Sequence, residues 1–447
     1  MTAWYDKATF YHMYPLGMTG SPFANPYPVS DGAADGTNRD VSADSRMDEL
    51  MLWIPYLESL HISAIYIGPL FESSTHGYDT RDFRLIDRRL GTNGSFRSFV
   101  DCCHEHGIRV VVDGVFNHTG REFFAFRDLQ AHRDQSPYAG WYRNVNFGWG
   151  SPLGDSFGYE SWHGIWELPC LNHKNPEVRN YLLDTVRFWV QEFDIDGIRL
   201  DCAGDLSFEF MQELRRLANE IKPEFWLMGE VIHGEYARWV NPQMLHSVTN
   251  YEMHKSIYSA HNDHNYFELA HNVRRLEAVG RDLYTFVDNH DEDRIASKLL
   301  NPAHLAPLYT LLFTLPGIPS IYYGSEWGIQ GRRGHNSDTP SENPAAETAC
   351  RRNADQRRTK HRYPHRWQLP ELFERHRHKH TRRPKHLLPD HFKHHRLKHR
   401  YQRRHRDTAH TSDPETRRHP RRRTGASRWA LSGASADKPA VRICQTR

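Results

Sequence analysis

Eight short apolar runs, each followed by a stretch of helical periodicity, constrain the first 340 residues more than any other feature. The runs occupy 9–14, 63–67, 109–112, 196–200, 225–228, 247–250, 283–287 and 318–322. Most are β-branched or aromatic and flanked by Gly, Pro or Asn, as strands are. Between them, Met47, Leu50, Met51, Ile54 and Leu57 recur along one helical face. Pro55 inside that pattern implies a kink. Asn175 and Pro176 open a long helical run to Phe193, with Pro at the first helical position. The stretches 207–221 and 303–315 behave similarly. Eight strands alternating with helices predict an α/β fold, a (β/α)8 barrel. In such a barrel, polar residues at the C-terminal strand ends are the catalytic candidates.

The link after the third run, 119–172, has no clean period but holds Trp141, Trp149, Trp162 and Trp166. A connection this long inside a compact domain is usually functional. It is expected to form a small inserted domain on the catalytic face. Some of these indoles would fill its core and others would face a groove.

Composition divides the chain again at Ser341. Residues 341–447 carry 29 Lys+Arg against 10 Asp+Glu, a net of +19, and 13 of the 31 His. The whole chain is only +3, so residues 1–340 are acidic at −16. The 107-residue tail has ten Leu, Ile, Val or Phe, too few for a core. It is expected to be disordered or to arise from an out-of-frame gene end. A nucleic-acid-binding arm and a His-based metal chelator are the competing readings, and a nucleic-acid partner is not expected.

No stretch of about 18 uncharged apolar residues exists, so no membrane span is expected. The N-terminal segment lacks a basic region followed by an apolar core, so no secretory leader is expected. Cys102, Cys103, Cys170, Cys202, Cys350 and Cys444 have no zinc-ribbon spacing. They read as free thiols in a reducing compartment, which places the chain in the cytoplasm.

Three carboxylates follow three different strands. Asp201 ends Asp-Gly-Ile-Arg-Leu-Asp, and alternate residues of a strand share a face. Arg199 and Asp201 therefore point together into the barrel mouth, with Ile198 and Leu200 packed outward. A guanidinium beside Asp201 is expected to lower its pKa and keep it ionised, as suits a nucleophile. Glu230 is delivered by an apolar run, with Gly229 leaving open space beside it. An apolar setting near other carboxylates raises a pKa, as suits a general acid. Asp291 ends Phe-Val-Asp-Asn-His-Asp; Asp288 is the alternative on spacing alone, and Glu292 and Asp293 read as solvated. Two carboxyl groups about 5–5.5 Å apart, one anionic and one protonated, are the parts of a retaining glycoside hydrolase. A third would stabilise an oxocarbenium-like transition state.

Seven motifs in order then carry a resemblance over residues 9–335. They are Asp113-Gly-Val-Phe-Asn-His118, Gly197-Ile-Arg-Leu-Asp201, Gly229-Glu230, Asn289-His290-Asp291, Glu167-Leu-Pro-Cys-Leu-Asn172, His76-Gly-Tyr-Asp79 and Gly317-Ile-Pro-Ser-Ile-Tyr-Tyr-Gly324. Together they resemble the α-amylase family of glycoside hydrolases, family thirteen. At the position of Cys170 that family commonly has Asp.

The resemblance implies Asp201 as nucleophile, Glu230 as acid/base and Asp291 as transition-state stabiliser. It implies that Arg199, His118 and His290 bind the sugar, with Asp113 supporting them. Tyr78 would stack on that sugar and His76 would hydrogen-bond near it. It implies hydrolysis of α-glucosidic bonds in starch-like α-glucans or maltooligosaccharides. A transglycosylase, a sucrose/trehalose isomerase or an inactive binding protein are the alternatives. No cofactor is required for this chemistry. In some members the residue matching Asn117 binds a structural calcium; no metal is assigned here, and the Asp-rich stretch 31–40 reads as a solvated turn. A closing amphipathic helix and a β-sandwich, usual in the family, are not visible beyond 340.

Overall fold

The computed structural model describes residues 3–29 and 46–332. The stretch 31–40, Cys350, Cys444 and the 341–447 tail, with the expectation of a missing closing helix, lie outside them.

All eight runs form strands. They are β1 (Phe10–Met13), β2 (Ala64–Ile67), β3 (Arg109–Gly114), β4 (Gly197–Leu200), β5 (Trp226–Gly229), β6 (Ser247–Val248), β7 (Tyr284–Thr285) and β8 (Ile318–Tyr322). They pair in parallel in the order β6-β5-β4-β3-β2-β1-β8-β7. A parallel bridge between Thr249 and Tyr284 joins the two ends of that order. Asn250 N–H donates to the Tyr284 carbonyl there at 2.9 Å. The sheet is a nearly closed (β/α)8 barrel.

The period of two sorts the strand side chains into two cores. Phe10, Ala64, Tyr66, Val111, Trp226 and Met228 fill the barrel interior. Their neighbours Tyr11, Ile65, Ile67, Val110, Val112 and Leu227 pack outward on the helices. Ile198 and Leu200 also face outward, as their alternation predicts. That leaves Arg199 pointing inward.

The helices start where their caps predict. Asn175 accepts the N–H of Glu177 at 2.9 Å to begin Pro176–Phe193. Ser207 accepts the N–H of Phe210 at 3.2 Å to begin Phe208–Ile221. Pro55 does not kink one helix. It stands in the first turn of a second one, Ile54–Ser59, after Arg46–Met51 has ended. A proline in a first turn loses no helical hydrogen bond.

Two features flank the barrel mouth. The stretch 119–172 carries the helix Phe124–His132 and an antiparallel pair, Ser161–Trp162 with Ile165–Pro169. After β2, Phe71–Ser73 pairs antiparallel with Thr80–Ile86, an element the periodicity did not reveal. Buried Arg89 braces that hairpin. Its Nη2 meets Asp87 Oδ2 at 2.7 Å, and its Nη1 reaches the carbonyls of Phe23 and Thr75 at 2.6 Å each.

Cys102, Cys103, Cys170 and Cys202 are free thiols. Among the described residues no helix is long and apolar enough to cross a membrane.

Candidate active site

The strand register sets the site. Asp113 of β3 is level with Arg199 of β4, and Leu200 is level with Gly229 of β5. Asp201 and Glu230, one residue further on, therefore emerge side by side. Arg199 Nη1 donates to Asp113 Oδ1 at 2.9 Å and to Asp201 Oδ1 at 2.7 Å. Its Nη2 meets Glu230 Oε2 at 2.8 Å. One buried cation thus holds three carboxylates from three strands. An oxygen of Asp201 and an oxygen of Glu230 lie within 4.8 Å of each other.

Burial changes the expected charge balance. It pushes the Asp201 carboxyl up to about 7; Arg199 pulls it down, while Glu230 and Asp113 push it further up. From the sequence, Arg199 is expected to keep this carboxyl low. The adjacent guanidinium is there, but desolvation outweighs it. Gly229 also differs from expectation. A Cβ on it would come within 2.5 Å of Leu245 and 2.8 Å of Ala203, so the residue is closely packed rather than beside open space.

Asp113 is fixed from below. It accepts Tyr66 Oη at 2.8 Å and Tyr78 Oη at 3.1 Å. Tyr78 comes from the turn of the hairpin braced by Arg89, and its ring stacks on His290 with 5.5 Å between centroids. The Tyr78 hydroxyl also bonds His290 Nε2, which lies 3.1 Å from Asp291 Oδ2. Burial opposes a charge on His290, but Asp291 beside it raises its pKa. His118 is driven the other way: burial, then the nearby His76, lower it to about 3, so it is a neutral imidazole. His118 Nε2 has no hydrogen-bond partner among the described residues.

An open cleft of about 890 Å³ covers the strand ends. Its lining includes His76, Tyr78, His118, Asp201, Glu230, His290 and Asp291. Asp113 and Arg199 lie directly beneath. All nine residues singled out from the sequence are therefore brought to one place. Asp288 is not among the lining residues. It is buried, accepts the N–H of Ile295 at 2.8 Å and the Ser325 hydroxyl at 2.6 Å, and so anchors the following loop. Glu292 is not simply solvated: it lines the cleft and pairs with Lys298.

Two further residues were missed from the sequence. Tyr251, just past β6, points its hydroxyl at Glu230 Oε1, 3.4 Å away, and accepts Asn289 Nδ2 at 3.1 Å. Cys202 touches both Asp201 and Glu230. Nothing local marks either residue, because each acts on a group far away in the chain or through an unusual backbone turn.

The four tryptophans of 119–172 divide. Trp141 is buried and donates to Glu177 Oε2 at 3.1 Å. Trp166 is half-buried. Trp162 lines the cleft beside His118, 5.6 Å between rings. Trp149 is 48 % exposed and is not among the cleft-lining residues.

A calcium at Asn117 does not fit the donors present. The Asn117 side-chain oxygen accepts Arg143 Nη2 at 2.7 Å. A guanidinium already occupies the place a cation would take. Among the described residues, the grouping of metal-type donors is Asp201, Cys202 and Glu230. There too a cation, Arg199, is bound to both carboxylates.

Comparison with known proteins decides the family. The family model for the α-amylase catalytic domain matches residues 37–376. The chain belongs to the α-amylase family. It is 36 % identical over 290 residues to a cyclomaltodextrinase of Thermoanaerobacter pseudethanolicus, covering 62 % of this chain and 50 % of the relative. It is 33 % identical over 348 residues to a maltogenic α-amylase of Bacillus acidopullulyticus, covering 73 % and 57 %. The chain thus spans about half the length of these curated relatives. Among solved structures, it is similar to the cyclic α-maltosyl-(1→6)-maltose hydrolase of Arthrobacter globiformis. The TM-score is 0.68 at 25 % identity, over 86 % of this chain and 84 % of that one. The debranching enzyme of Nostoc punctiforme gives 0.66 at 28 % identity, over 85 % and 82 %.

Proposed function

We propose that this chain hydrolyses α-glucosidic bonds of maltooligosaccharides by a retaining double displacement. The observation that carries the reading is the Asp201–Glu230 pair, with oxygens within 4.8 Å and one guanidinium bound to both. That spacing suits a nucleophile and an acid/base acting on the same anomeric centre. Inverting chemistry needs a gap of about 6.5–9.5 Å to admit water between the groups.

In this reading Glu230 protonates the leaving oxygen while Asp201 attacks the anomeric carbon. Glu230 then takes a proton from water, which releases the sugar from Asp201. Arg199 keeps the pair oriented throughout and offsets the negative charge. Asp291, at the cleft rim beside His290, faces the cationic sugar of the transition state. Tyr78 offers a ring face to the sugar. No metal is required for these steps.

The relatives' names support this substrate class. They include cyclomaltodextrinases and maltogenic amylases, and one from Bacillus subtilis is named an intracellular maltogenic amylase. We place the present chain in the cytoplasm on that likeness and its free thiols. Transfer to a second sugar is the companion reading. Ile165, Leu168, Val231, Ile232 and Trp239 line the cleft with Glu230, and an apolar wall favours a sugar face over water.

Two variants test the proposal. Asp201→Asn and Glu230→Gln should each lower the rate on maltotriose by about three orders of magnitude or more while the chain stays folded. A folded Asp201→Asn with near-parent activity would refute it. Products from maltotriose, pullulan, isomaltose and sucrose then define the bond and the acceptor.

A further inference from the structure

Cys202, the residue after the proposed nucleophile, places two donors on two different carboxylates. Its backbone sits at φ +47°, in the left-handed region that side chains other than Gly, Asn or Asp seldom adopt. In that turn its N–H donates to Glu230 Oε2 at 3.0 Å. Its Sγ donates to Asp201 Oδ2 at 3.1 Å. The N–H contact needs only the backbone conformation. The second contact needs a donor on the side chain.

The other oxygen of Asp201 is already held by Arg199 Nη1 at 2.7 Å. With a donor on each oxygen, rotation of the Asp201 carboxylate is restrained from both sides. The thiol lines the cleft at the level of the reacting groups. We propose that Cys202 is a positioning residue for the reaction, its S–H orienting the nucleophile and its left-handed backbone orienting the acid/base. The inference rests on the reading of Asp201 and Glu230 given above.

The charged and titratable groups facing Asp201 are Arg199 from its own strand, Asp113 from β3, Glu230 from β5 and Tyr78 from the hairpin turn. None of them is altered by a change at 202, so the thiol's effect can be isolated. Burial, with Asp201 and Glu230 beside it, holds the thiol far above its ordinary pKa. It therefore remains a protonated donor at neutral pH. Losing that donor leaves a buried carboxylate with one hydrogen bond fewer, which makes ionisation harder.

The test compares pH profiles of kcat/KM on maltotriose for the parent, Cys202→Ala, Cys202→Ser, Cys202→Gly and Asp201→Asn. Cys202→Ala should lower kcat/KM roughly three- to tenfold and move the acid limb to higher pH. Cys202→Ser, which keeps a donor, should recover most of both. Cys202→Gly should melt no lower than the parent, because glycine adopts this φ freely, yet should lose rate as Cys202→Ala does. A purely structural residue would instead keep both stability and rate in the glycine variant. If Cys202→Ala fails to fold, Cys202→Gly decides. Parent-like profiles for Ala and Gly, or a Ser variant no better than Ala, would overturn the proposal while an inactive Asp201→Asn leaves the carboxylate pair standing. Near-parent activity in Asp201→Asn would instead overturn the underlying reading.

Discussion

The guanidinium of Arg143 donates Nη2 to the side-chain oxygen of Asn117 at 2.7 Å. The same group reaches the Leu171 carbonyl at 3.1 Å through Nε and Glu160 Oε1 at 3.1 Å through Nη1. One cationic side chain from the middle of the 119–172 excursion thus ties the end of β3 to the excursion's C-terminal part. A divalent ion would do the same work by gathering oxygens.

Chelation is therefore expected to be harmless. EDTA should leave both melting temperature and activity unchanged. Arg143→Ala should lower the melting temperature by a few degrees, since it leaves three acceptors without this donor. Destabilisation by EDTA, reversed by calcium, would show that the guanidinium is not the cation that joins these segments.

Asp201 sets the expected pH dependence. Burial pushes its carboxyl up from the ordinary 3.8 to about 7 in the folded chain, against the pull of Arg199. In its proposed role as nucleophile Asp201 acts ionised, so the acid limb of kcat/KM should break near 7 rather than near 4. The same shift opposes folding. The folded chain binds this proton more tightly than the unfolded chain, so this group's contribution worsens as pH rises from about 4 to about 7 and stays unfavourable above. Asp201→Asn should consequently melt at or above the parent temperature at pH 8 while being inactive. A lower melting temperature for a folded Asp201→Asn would mean that the charge is well compensated by Arg199.

What could be read from the sequence followed from local pattern. The eight strands were visible because buried parallel strands are continuous apolar runs, and the flanking caps Asn175 and Ser207 fixed helix starts. The ends were less legible. The run 283–287 pairs in the sheet only over Tyr284–Thr285, although Phe286 continues into the barrel interior. The hairpin bearing Tyr78 was missed because Thr80, Arg81, Asp82 and Arg84 leave its second strand without an apolar alternation. Ion pairs hold it, such as Arg81 Nη2 with Glu122 Oε2 at 2.6 Å. The candidate site residues were legible one by one through their motifs. The pKa of Asp201 was not, because Arg199 is adjacent in sequence whereas burial depends on the closed barrel. Tyr251 escaped notice for the same reason: it reaches Glu230 across 21 positions of chain.

Trp162 and Trp149 give a spectroscopic test of the cleft. Trp162 lines it and donates Nε1 to Asp205 Oδ2 at 3.1 Å, whereas Trp149 is not among its lining residues. Maltooligosaccharide added to Asp201→Asn protein should quench emission, and Trp162→Phe should remove most of that quenching. Trp149→Phe should retain it. Quenching that follows Trp149 instead would place the sugar outside the cleft described.

The most direct test of the central claim is the anomeric form of the first product. Proton NMR of fresh maltotriose hydrolysis should show α-anomer released first, equilibrating with β only as mutarotation proceeds. Two carboxylates as close as Asp201 and Glu230 suit that outcome, reached in the proposed mechanism through two successive inversions. Initial release of β-anomer would mean a single displacement by water, and it would contradict the roles given to both residues.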